Sequence, residues 1–98
     1  MIPYSFLPEA VDELREAAEF YEEQRAGLAE KFRRAVEAAI RRIQEHPLMY
    51  RQIESGCRQC RVTGFPYGLI YRLRDKKIEI MVVMHLSRNP GYWKHRIN

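Results

Sequence analysis

The stretch Tyr67-Gly68-Leu69-Ile70-Tyr71-Arg72-Leu73-Arg74-Asp75-Lys76-Lys77-Ile78-Glu79-Ile80-Met81-Val82-Val83-Met84-His85 decides the fold. Its β-branched and aromatic residues predict two strands, Tyr67–Arg74 and Lys77–His85, and Asp75-Lys76 between them reads as a tight turn. The second strand is apolar on both sides, with Ile78, Ile80, Val82 and Met84 expected on one face and Met81 and Val83 on the other. Only a central strand covered on both faces tolerates that pattern. This strand is therefore expected in the middle of a sheet.

Upstream, Arg58–Thr63 reads as a further strand, and Gly64-Phe65-Pro66 as the corner joining it to Tyr67. Residues 47–56 show no clean period and read as a loop. Before them lie two amphipathic segments. Leu7, Val11, Leu14, Ala18 and Tyr21 recur at steps of four and three, behind a Pro8 suited to the first helical turn. Leu28, Phe32, Val36, Ala39 or Ile40, and Ile43 trace the second stripe, which ends at Pro47; Gly27 separates the two. Tyr4 and Phe6 suit a short first strand. The expected architecture is α+β, in the order β-α-α-β-β-β, with a helical hairpin packed on a largely antiparallel sheet. Residues 1–98 are expected to form one domain.

Composition excludes some classes. Six Tyr, four Phe and one Trp among 98 residues argue against disorder. The longest aliphatic and Met run, Ile80–Met84, is far short of the roughly 20 residues of a membrane span. The N-terminus has no basic flank of a secretory signal, so the expected location is cytoplasmic, with no membrane partner. Charge is uneven. Residues 1–56 carry a net −3, whereas residues 57–98 carry 9 Lys/Arg against only Asp75 and Glu79, a net +7. A basic half of this kind suits nucleic acid or an acidic protein.

Cys57 and Cys60 form a lone C-x-x-C with no second pair to complete a zinc site. Three residues apart on a strand, they point to opposite faces, and we read them as small fillers. No metal or cofactor is expected. His46 suits a helix end, and seven acids of the first helix (Glu9, Asp12, Glu13, Glu16, Glu19, Glu22, Glu23) read as a solvated face pairing with Arg33, Arg34, Arg41 and Arg42. The tail is denser in chemistry. Arg88, Tyr92, Trp93, Lys94, His95 and Arg96 fall within nine residues, close after His85, and Arg58, Arg61, Arg72 and Arg74 would extend the positive surface. Rings stack on bases and guanidinium groups hold phosphates. Equally, Tyr92 and Trp93 would serve to cap the core.

The segment Phe65-Pro66-Tyr67-Gly68-Leu69-Ile70-Tyr71 and the closing string His85-x-Ser87-Arg88-x-Pro90-x-Tyr92-Trp93-x-x-Arg96 resemble signatures of the RelE/ParE superfamily of bacterial toxins. Ala17-x-x-Phe20-Tyr21-Glu22, with Gly27-Leu28 and Phe32, matches the helical hairpin of that superfamily. The resemblance runs the length of the chain. It implies the toxic half of a type II toxin–antitoxin pair, of the kind described as plasmid stabilisation proteins. It also implies a cognate antitoxin whose acidic segment covers the basic face.

The superfamily divides on mechanism. RelE-like members cut messenger RNA on the ribosome; ParE-like members poison DNA gyrase without catalytic residues. Under the first reading, which the aromatic and basic tail favours, Arg61 and Arg88 hold phosphate and His85 and Tyr92 carry protons. Arg58, Arg72, Trp93, Lys94 and Arg96 then contact RNA. Against it, the second-strand arginine of RelE-like members is replaced by Gly68, and no lysine pair precedes it. Under the second reading the partner is gyrase.

Overall fold

The computed structural model describes residues 1–97. Strand β1 (Tyr4–Phe6) leads into α1 (Pro8–Gln24), and α2 (Leu28–Glu45) completes a helical hairpin. Strands β2 (Arg51–Gln52), β3 (Arg58–Arg61), β4 (Tyr67–Arg74) and β5 (Lys77–His85) follow, and a short 3-10 turn, Lys94–Arg96, lies in the tail. The sheet order is β1-β5-β4-β3-β2, antiparallel except that β1 runs parallel to β5. The α+β class and the central place of the last strand are as the sequence predicts.

The hairpin forms without side-chain caps of the usual kind. Pro8 occupies the start of α1, where its missing N–H leaves nothing unpaired. Gly27 takes φ +89° at the start of α2, a left-handed conformation that glycine adopts without strain. Glu22 then reaches across the break, accepting from Gly27 N–H at 3.1 Å and Ala29 N–H at 3.2 Å. Its carboxylate thus satisfies free amides and faces the positive end of the α2 dipole.

One core lies between the hairpin and the sheet, built on Phe32, Val36, Ile43, Leu69, Tyr71, Ile78 and Ile80. A smaller one covers the other face with Cys57, Ile70, Met81, Val82, Met84 and Trp93. The expected division of β5 between faces fails here. Tyr71 pairs with Ile80 but Ile70 with Val82, so Met81 is an extra residue and the alternation flips at this bulge. Ile78, Ile80 and Val83 therefore face the helices, while Met81, Val82 and Met84 face away.

Other differences have equally local causes. Val11 is 46% exposed, because the buried stripe of α1 runs through Ala10, Ala17 and Ala18 instead. The small side chains let the helix approach the sheet closely. Strand β3 ends at Arg61 rather than Thr63, since Phe65 N–H turns back to Val62 C=O. Within the expected loop, Arg51 and Gln52 pair with Gln59 and Arg58, a two-residue ladder made by backbone alone. Cys57 and Cys60 do point to opposite faces, one in each core. Burial raises both thiol pKa values, which disfavours the reactive thiolate.

Candidate functional site

The tail after β5 folds back across the far face of the sheet and is pinned by α1. The anchor is Glu13, whose side chain is 15% exposed. Its Oε1 accepts from Arg96 Nη1 at 2.8 Å and from Val83 N–H at 3.0 Å. Its Oε2 accepts from the Tyr92 hydroxyl at 2.5 Å and from Arg96 Nη2 at 3.1 Å. Arg96 Nη1 also donates to Met81 C=O at 2.9 Å. Strand β1 has turned away by this point, so Glu13 and Arg96 give β5 the acceptor and donor that a neighbouring strand would otherwise supply. Glu9 adds His95 at 3.0 Å. Arg72 closes the arrangement, donating to Glu79 and to Ile97 C=O, both at 2.7 Å.

Sequence reasoning missed this cluster. Glu13 lies 79 residues from Tyr92 and 83 from Arg96, and a helical period does not distinguish a solvated carboxylate from one facing a distant arginine. The usable signal is the i, i+4 spacing of Glu9 and Glu13 beside the Ala10–Ala17 stripe, set against a strongly basic tail. The expected ion pairing between the helices is also corrected. Among the described residues no acid of α1 pairs with an arginine of α2: Arg15 pairs with Asp12 and Arg34 with Glu30 within their own helices, while Glu9 and Glu13 pair with the tail. Arg42 instead donates to Arg61 C=O at 2.9 Å.

The candidate residues fall into two sets. Trp93 is 1% exposed and forms part of the core, so its ring faces are covered rather than open to a base. Arg96, 6% exposed, is committed to Glu13, and Arg72 to Glu79 and the tail. Burial and the hydrogen bond to Glu13 raise the Tyr92 pKa well above that of an ordinary phenol. For Arg96 burial acts downward, but the hydrogen bond and charge of Glu13 outweigh it and hold the pKa above its usual value. Arg58 donates to Tyr50 C=O at 2.9 Å, and Lys94 stands 3.5 Å from Glu54.

The open set is smaller. Arg61 is exposed on β3, opposite Gly68. Arg88 is exposed and lies 4.1 Å above the Tyr92 ring, a cation–π contact. Arg88 and His85 line a shallow cleft with Glu13, Glu16, Phe20 and Tyr67. His85 packs edge-on against Tyr67, on the helix side of the sheet. Its Nδ1 accepts from Ser87 N–H at 3.1 Å, so in the neutral ring the proton is on Nε2. Arg61 follows Cys60, which faces the helices, and so points to the opposite face. The structure thus brings His85 and Arg88 together and holds Arg61 and His85 apart, with β4 between them.

Residues 4–90 match the family model described as the ParE toxin of the type II toxin–antitoxin system parDE. The chain belongs to the ParE toxin family. A solved structure titled "Chromosomal ParDE TA system from P. aeruginosa" superimposes with a TM-score of 0.66 at 16% identity, over 89% of this chain and 98% of that one. At that identity the likeness concerns the fold. No curated protein matches. Membership in the ParE family makes this the toxin of a type II pair, with a cognate antitoxin as its partner.

Proposed function

We propose that this ParE-family toxin arrests growth in the cytoplasm by binding DNA gyrase, without bond-breaking chemistry of its own. The observation that carries this reading is the Glu13–Tyr92–Arg96 cluster. A nuclease needs a group to accept the proton of the 2′-hydroxyl and a cation at the phosphate. Here the tail phenol donates to a carboxylate and is harder to ionise than usual, while the adjacent guanidinium is enclosed by the same carboxylate. Gly68, where RelE-like members carry an arginine, agrees with this reading. Cleavage of messenger RNA on the ribosome is the second reading, favoured by the shared cleft of His85 and Arg88.

Pulse labelling after induction of the toxin alone tests the choice. A prompt fall in thymidine incorporation with protein synthesis intact, and inhibition of supercoiling by purified gyrase, are expected. Toxicity should survive Arg61→Ala and His85→Ala. An immediate fall in amino-acid incorporation, with both substitutions detoxifying, would replace the gyrase reading with the ribosomal one.

A further inference from the structure

Strand β1 is an edge of the sheet, and its outer side is open. Pro3 C=O accepts from Ile78 N–H at 2.9 Å, and Leu7 N–H donates to Ile80 C=O at 2.9 Å. Residues 3, 5 and 7 therefore turn their main-chain groups toward β5, and Tyr4 and Phe6 turn theirs outward. Among the described residues nothing bonds to the N–H or the C=O of either. The window closes at both ends. Ile2 C=O is taken by Gln44 Nε2 at 2.7 Å, and Pro8 has no N–H to give.

The side chains above this window are as open as its backbone. Tyr4 is 44% exposed and meets Phe6 edge-on, with 6.2 Å between ring centres. Both rings line a groove on the helix side of the sheet, with Leu14 of α1 and Val36 and Ile40 of α2. Arg33 and Glu37 border the same groove. They lie one helical turn apart, yet neither has a partner of opposite charge among the described residues, whereas Arg34 beside them pairs with Glu30. Soluble proteins ordinarily guard an edge with lysine, proline or a bulge. Here the window holds two aromatic rings flanking a serine.

We propose that the occupant of this edge is a second copy of the chain, paired antiparallel with β1 about a two-fold axis at Ser5. In that register Tyr4 of each copy stands opposite Phe6 of the other. A hydrogen-bonded antiparallel pair exchanges both its N–H···O=C bonds, so every open group of the window is used on both strands. A register centred on Tyr4 or on Phe6 leaves half of them unmet. The flanks agree, since Ile2, whose carbonyl is occupied, falls opposite Pro8, which has no N–H. The rings of both copies then form one row over the seam. Ser5 points to the far face and is small enough for the axis, where the two Cα atoms approach to about 4.5 Å. The same axis sets the two α2 helices antiparallel across the seam, with Arg33 of one toward Glu37 of the other. Backbone, rings and charge are thus each complementary to themselves, which favours a second copy over an unrelated peptide. The proposal does not depend on the cellular target, so a negative gyrase assay would leave it standing.

Sedimentation of the purified chain over a concentration series is the direct test. The contact is small, so the mass should double over roughly the tens of micromolar. Ser5→Cys should be captured as a covalent dimer on oxidation with copper phenanthroline, while the wild type, whose Cys57 and Cys60 are buried, should not. Tyr4→Lys should weaken association by about tenfold or more, whereas Phe20→Ser, at a ring 53% exposed elsewhere, should not. Arg33→Glu should weaken it as well, and adding Glu37→Arg should restore it. The near-ultraviolet circular dichroism of Trp93 reports whether each variant is folded. A chain monomeric throughout the series would overturn the proposal, and protection of the Tyr4 and Phe6 amides only when antitoxin is added would give the edge to that partner instead. A dimer that survives Tyr4→Lys, or that Ser5→Cys does not capture, would place the contact on another surface and overturn it equally. Failure of the charge reversal to restore association would remove the helix contact.

Discussion

The two faces of the sheet are closed by different means. One lies under a hairpin of two long helices, whose apolar stripes run across it, with polar bonds such as Arg42 to Arg61 C=O only at its margin. The other lies under a short tail with a single 3-10 turn, which brings one large ring, Trp93, into a patch of Met, Ile and Val. Apolar contact alone does not hold a segment so short. Glu13, Arg96 and Arg72 hold it, tying residues 92–97 to α1 and β5. On the first face burial determines position. On the second, hydrogen bonds determine position, and burial follows.

This contrast yields tests that grade downward in size. Phe32→Ala and Trp93→Ala should each cost about 3–5 kcal/mol in urea unfolding, since both rings are buried and neither face has spare material to refill the space. Hydrogen exchange should separate them, with the hairpin losing protection in the first variant and residues 92–97 in the second. Glu13→Ala comes next, at about 3 kcal/mol, because it takes from the enclosed Arg96 guanidinium the nearer of its two carboxylates and leaves only Glu9, at 3.6 Å. Its damage should concentrate in the tail while the α2 amides stay protected. An even loss across both faces would erase the distinction drawn above.

Alkaline pH should act on both faces. Tyr71, on the helix side, has its pKa pushed up to about 12 by burial, and Tyr92, on the tail side, is raised by burial and Glu13. In each case the folded state holds the phenolic proton more tightly than the unfolded chain. The stabilisation is therefore fully present below the ordinary phenol value near 10 and is lost as pH climbs through the raised value. Tyrosinate absorbance and unfolding free energy should change together above pH 10, and Tyr92→Phe should reduce the loss. The smallest effect belongs to surface pairs on the hairpin. Arg34→Ala, which breaks an exposed pair with Glu30, should change stability by less than about 0.5 kcal/mol.

The same contrast explains how much could be read from the sequence. The bounds of β4 and β5 and the break at Gly27 were legible because local pattern specifies them. Alternation marks the strands, while Asp75 and Lys76 take φ +53° and +61° in a tight turn between them. Phe32, Val36 and Ile43 were legible as core for the same reason. The bulge at Met81 was not, since one extra residue in a wholly apolar strand leaves the pattern looking regular. Strand β2 was hidden because its two residues are exposed and only their backbone pairs. At the site, Arg88 and His85 stood out by type and position. Glu13 did not, because its partners lie at the opposite end of the chain and its own neighbourhood is a row of solvated acids.

The parallel pairing of β1 with β5 has a consequence for the order of events during synthesis. Tyr4 meets Ile78, and Glu13 waits for Tyr92 and Arg96. The helical hairpin has only local contacts to make and is free to form as it emerges from the ribosome, whereas long-range pairings of this kind form late. The sheet is not closed until β5 has been made, and its far face is not covered until residue 96 has followed. Between Glu45 and His85 the nascent chain therefore holds its helical hairpin without a closed sheet, and the hairpin's apolar stripe has nothing to cover it until the last strand is made.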